Sequence, residues 1–123
     1  MPINWIKIGD RKVLNLDYRL LKDDEMTSQA RQGVEILSQE KDNSVWAIVN
    51  YDKTSVSTKM FTTIIAIVGD VFNKKCNAVV FVGITGLKKV MFNMFSKMYP
   101  MNLKLRASEE EAIEYFKMYS EQS

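Results

Sequence analysis

Ala78-Val79-Val80-Phe81-Val82-Gly83-Ile84-Thr85-Gly86-Leu87-Lys88-Lys89-Val90 is the stretch on which the reading of the fold turns. It opens with an apolar run of strand length, and an unbroken run of this kind suits a strand covered on both faces. Gly83 and Gly86 then bracket a turn. A helix is expected straight after it, because Leu87, Val90, Met91, Met94, Phe95 and Met98 recur at helical spacing. In an α/β domain, a strand end that feeds a helix N-terminus is where ligands and partners are met.

Working upstream, Val45-Trp46-Ala47-Ile48-Val49 is a second continuous apolar run. A polar loop rich in hydroxyls follows it, Asn50-Tyr51-Asp52-Lys53-Thr54-Ser55-Val56-Ser57-Thr58. Ser57 or Thr58 can cap the next helix, expected over 59–73. Phe61, Ile64, Ile65, Val68 and Phe72 form its core stripe, and Met60, Ile67 and Val71 a second stripe beside it. Nearer the start, Ile3, Trp5, Ile6 and Ile8 precede Gly9-Asp10-Arg11, and Val13, Leu14 and Leu16 follow, which reads as a β-hairpin. Asp23 and Asp24 are good caps for an amphipathic helix over 25–39 that buries Met26, Ala30, Val34 and Leu37.

Downstream, Pro100 marks the close of a loop, and Leu103 and Leu105 alternate with polar or charged residues as in an edge strand. Ser108-Glu109-Glu110-Glu111 has the capping-box spacing, opening a last helix with Ala112, Ile113, Phe116 and Tyr119 turned inward. The order is ββαβαβαβα. It predicts one α/β domain over 1–123, with a mixed, mostly parallel five-stranded sheet and covering helices. Crossovers should be right-handed, and only the hairpin must be antiparallel.

Composition narrows the function. The chain has 123 residues, a net charge of +2 and no histidine. So small a charge leaves no footprint for nucleic acid. The missing histidine takes away the commonest general base and metal ligand. Cys76 is the single cysteine, so neither an intrachain disulfide nor a cysteine zinc site is expected, and it has no histidine to activate it. The carboxylate clusters, Asp23-Asp24-Glu25 and Glu109-Glu110-Glu111, fall at helix starts, where capping explains them. No enzymatic activity, cofactor or metal is expected. The start does not have the pattern of a signal peptide, and the run 64–68 is far too short to span a bilayer. A cytoplasmic protein is expected, with peripheral membrane association as the alternative.

The element order resembles the STAS domain, the fold of sulphate-transporter and anti-sigma-factor-antagonist domains. The nearer likeness is to its SpoIIAA-like branch of small stand-alone bacterial proteins. The residues that carry it are Val80-Phe81-Val82-Gly83-Ile84-Thr85-Gly86-Leu87-Lys88-Lys89, Phe92-Asn93, Asn102-Leu103-Lys104-Leu105 and Ser108 with the eight residues after it. Trp46 and the residues up to Asp52 look like the family's central strand and its acidic end. The resemblance implies a non-enzymatic regulatory or binding module. In the anti-sigma antagonists, a serine at the start of the helix after the central strand is phosphorylated. That motif is not matched here: Lys59 falls near the place, with Ser55, Ser57 and Thr58 before it, so the phosphoswitch is not carried over. The branch is also similar in fold to CRAL-TRIO-type lipid-binding domains, which implies an apolar ligand or a membrane surface.

Two candidate sites follow. The first is a rim of Asp52, Ser55, Ser57, Thr58, Lys59, Thr85, Gly86 and Lys88, where two neighbouring strands would end together. Gly83-x-x-Gly86 can either cradle an anion with the help of Lys88 and Lys89, or serve as a tight turn. The second is an exposed apolar patch of Met60, Ile67, Val71, Phe92 and Tyr99. Eight methionines in the chain supply adaptable apolar surface for it. Its occupant is expected to be a protein partner, a second copy, an apolar small molecule or a membrane surface.

Overall fold

The two unbroken apolar runs lie side by side at the centre of the sheet. The computed structural model describes residues 3–99 and 102–122. Strands β1 (Ile3–Ile8) and β2 (Arg11–Asp17) pair antiparallel, turning at Gly9 with φ of 60°. Strands β3 (Val45–Asn50), β4 (Cys76–Val82) and β5 (Asn102–Arg106) then add in parallel, giving the spatial order β1-β2-β3-β4-β5. Every residue of β3 is buried, which is why its run is apolar on both faces. Helices α1 (Asp23–Ser38), α2 (Thr58–Lys75), α3 (Leu87–Met98) and α4 (Glu109–Gln122) complete the chain.

Strands that are added one after another in a single direction, through right-handed crossovers, place the crossover helices on the same face. Met26 of α1, Ile64 and Val68 of α2, and Met91 and Phe95 of α3 accordingly share one core with Leu14, Val49 and Phe81. On the opposite face, α4 brings Ala112 and Phe116 onto Val13, Trp46, Ile48 and Val80. Trp46 holds that second layer: its ring stacks on Phe116 at 5.2 Å and meets Tyr119 edge-on at 5.0 Å.

The helix ends show how local the signals were. Ser57 caps α2, its hydroxyl accepting the Met60 N–H at 3.1 Å. Ser108 accepts from the Glu111 N–H, while the Glu111 carboxylate reaches back one residue further than in the usual box, to the Ala107 N–H. In α1 the cap is not an aspartate. Asp23 and Asp24 are already helical, and the Lys22 N–H donates to Glu25 Oε1 at 2.9 Å instead. Helix α2 is longer than its apolar stripes suggested and passes straight into β4 at Cys76. Pro100 lies outside the described residues.

Helix α3 is turned differently from the sequence expectation. Its inward face is Lys88, Met91, Phe92 and Phe95, at i, i+3, i+4 and i+7. Leu87, Val90, Met94 and Met98 form an outward stripe, each more than half exposed. The reason is Phe81. Its ring takes Phe92 edge-on at 5.2 Å and Phe95 at 6.0 Å, a fit that aliphatic side chains cannot offer.

Candidate functional site: a cleft between two helices

Helix α2 packs closely on α1 but only lightly on α3, and a narrow apolar cleft runs between α2 and α3. Its floor is Val49 and Phe81 from the central strands. Ile64, Ile65 and Val68 form the α2 wall, and Phe92 and Phe95 the α3 wall. The cavity measures about 30 Å³, enough for a water or a methyl-sized group. A larger occupant has to part the two helices.

At the end of the cleft beside the strand termini, the lining changes character. Tyr18 and Tyr51 reach it with Lys88. The two rings stack almost parallel, with centroids 4.8 Å apart and planes 5° apart. Their backbones follow from the sheet: the Tyr18 N–H donates to the Asn50 carbonyl, and the Tyr51 N–H to the Val82 carbonyl. Thr54 fixes the pair from behind. Its buried hydroxyl donates to the Tyr18 carbonyl at 2.7 Å and accepts the Leu20 N–H at 3.1 Å. Both tyrosine residues are buried except for slight solvent contact that reaches their hydroxyls, and neither hydroxyl has a hydrogen-bond partner among the described residues. Burial pushes the Tyr18 phenol well above its ordinary pKa; burial, and then the neighbouring Tyr18, does the same to Tyr51. Both phenols therefore stay protonated and able to donate at neutral pH.

Lys88 crosses from the first turn of α3 to the end of β3, where Nζ donates to the Tyr51 carbonyl at 2.9 Å. Among the described residues it has no carboxylate partner. The remaining rim residues are arranged around this bridge. Asp52 is half-buried, its backbone pressed against Gly83, where φ is +77° and an added Cβ would come within 2.5 Å of Asp52 Cα. Gly86, at φ 58°, starts α3. The Lys88 and Lys89 amides, which an anion cradle would need, donate instead to the Thr85 and Gly86 carbonyls. Gly83-x-x-Gly86 is thus built as a turn and a close approach. Ser55, Ser57, Thr58, Lys59 and Thr85 are exposed along the same rim.

The residues expected to form an exposed apolar patch are placed otherwise. Phe92 is buried, a correction that follows from the rotation of α3. Met60 is half-buried where α2 meets α1, with the Thr27 hydroxyl 3.7 Å from its sulfur. Ile67 and Val71 are half-buried against the core. Tyr99 lies across Gly69 of α2, with its hydroxyl 3.3 Å from Asp70 Oδ1, and so closes the far end of the cleft. A Cβ at Gly69 would overlap that ring. Cys76 is buried, its thiol pushed up to about 12 by burial, so it is not a thiolate at neutral pH.

No family model matches the sequence, and no curated protein does. Among solved structures, the chain is similar to an uncharacterised DUF3478-family protein of SpoIIAA-like fold from Shewanella loihica PV-4. The TM-score is 0.66 at 13% identity, over 92% of this chain and 90% of that one. The chain has the SpoIIAA-like α/β fold. Among the described residues, no helix is long and apolar enough to cross a membrane.

Proposed function

We propose that this chain is a non-catalytic binding module of SpoIIAA-like fold, and that it takes an apolar small molecule between α2 and α3. The observation that supports this reading most is the cleft itself. Apolar side chains line both walls and the floor, and the two helices that bound it touch only lightly, apart from Tyr99 over Gly69. Parting such a seam costs little backbone hydrogen bonding, and an apolar occupant restores the contacts that opening removes. Native mass spectrometry of freshly purified protein is the test. A co-purified adduct, or uptake of 1-decanol with a rise in Tm, is expected. A clean mass with no uptake and no thermal shift would remove the reading.

The outward stripe of α3 favours a second reading, docking on an anionic bilayer. Leu87, Val90, Met94 and Met98 stand out of the same helix that walls the cleft, with exposed Lys89 and Lys97 alongside them. Apolar groups flanked by cations suit insertion at a lipid headgroup boundary. Flotation with vesicles containing phosphatidylglycerol is expected to carry the protein, less so after Met94→Ser. If sedimentation instead shows a concentration-dependent dimer that Met94→Ser abolishes, the stripe is a contact between copies.

A further inference from the structure

We infer that the occupant of the cleft carries a single carboxylate head, received at the strand end by Lys88 and the hydroxyls of Tyr18 and Tyr51. This rests on the apolar-ligand reading above and specifies its chemistry.

Three polar groups line this end of the otherwise apolar cleft, and each has unused hydrogen-bonding capacity. The Lys88 ammonium has three donors, and one reaches the Tyr51 carbonyl at 2.9 Å. The remaining two face no carboxylate among the described residues. Tyr18 is only 2% exposed and Tyr51 only 5%, and neither hydroxyl is bonded. Each hydroxyl keeps a little contact with solvent, since Asn15 Oδ1 is the one fully buried side-chain oxygen without a partner among the described residues. An acceptor entering this end of the cleft would take the place of that water for both phenols. Neighbouring side chains do not supply one.

The charge count selects the head. One cation beside two neutral donors matches one negative charge and its oxygens. A phosphate dianion would bring a second charge to a half-buried site whose lining offers it no second cation. A neutral alcohol would leave the ammonium unmatched. The position of Lys88 on α3 orients the occupant as well. It begins the inward stripe that continues through Met91, Phe92 and Phe95, so a head held there sends its apolar body along the rings toward Tyr99.

The test compares decanoate with 1-decanol by isothermal titration on the intact chain. Decanoate is expected to bind about tenfold more tightly, the size of one charge-assisted hydrogen bond. Lys88→Met should erase that preference, and Lys88→Arg should keep most of it. Lys89→Met, altering an exposed lysine next in sequence, should leave it intact. Tyr51→Phe should weaken decanoate binding without loss of fold. Equal affinity of the unaltered protein for both probes would overturn the carboxylate assignment and leave the apolar cleft standing; this comparison needs no variant. Binding of neither probe would overturn both.

Discussion

Gly83 has to be glycine for two separate reasons. Its φ of +77° is a region that side chains avoid, and a Cβ there would strike the backbone of Asp52, which cannot swing aside. Gly86 shares only the first reason, since an added Cβ at φ +58° meets nothing within 4 Å. Gly83→Ala should therefore cost about 3 kcal/mol in urea denaturation and Gly86→Ala about 1–2 kcal/mol. Equal losses would mean that the β3 end and the β4 end are not pressed together as described. At the tyrosines the expected sign is reversed. Tyr18→Phe or Tyr51→Phe removes a hydroxyl that has no internal partner and only slight solvent contact, and should leave stability unchanged or raise it by less than about 0.5 kcal/mol. A clear loss would show that the hydroxyl has an internal partner. The same groups set an alkaline limit. Their folded pKa values lie above the unfolded value, so their contribution is fully present below about pH 10 and declines as pH rises past it. The double variant Tyr18→Phe/Tyr51→Phe should flatten that decline, as measured by Tm against pH.

Helix α3 tests how far an apolar pattern can be trusted to give orientation. Its apolar residues fill two adjoining stripes, and spacing alone does not choose between them. The shape of Phe81 does, by taking Phe92 and Phe95 and leaving Met94 57% exposed while Phe92 is 8%. Phe92→Ala should cost about 3–4 kcal/mol and Met94→Ser less than about 0.5 kcal/mol in denaturant unfolding. The reverse order would return α3 to the orientation its sequence first suggested. The elements themselves were legible, because β3 and β4 are buried on both faces and so read as unbroken apolar runs. The hairpin and the capping serines were legible for similarly local reasons. The cleft was not. Tyr18 and Tyr51 belong to different loops, and only the parallel register that sets Leu16 beside Val49 brings the two rings together. The recurrence of a polar strand end followed by tyrosine, Asp17-Tyr18 and Asn50-Tyr51, is the trace that the pairing left in the sequence. Lys88 at the head of the inward stripe is another, hidden until the stripe was known.

On the scale of the whole molecule, the two faces of the sheet have different tasks. Helix α4 seals one face through Trp46, Phe116 and Tyr119, in close aromatic contact. The other face carries three helices, and the seam between α2 and α3 is the weakly packed part of it. The proposed apolar occupant would lie in that seam, walled by Ile64, Ile65 and Val68 over Val49 and Phe81. The most direct measurement is a methyl NMR titration with 1-decanol, followed by intermolecular NOEs. The expected result is shifts concentrated at the Val49, Ile64, Ile65 and Val68 methyls, with NOEs from the probe to the Phe81 and Phe92 rings. Shifts confined to Val90, Met94 and Met98 on the outer face of α3, or no shifts at all, would contradict it.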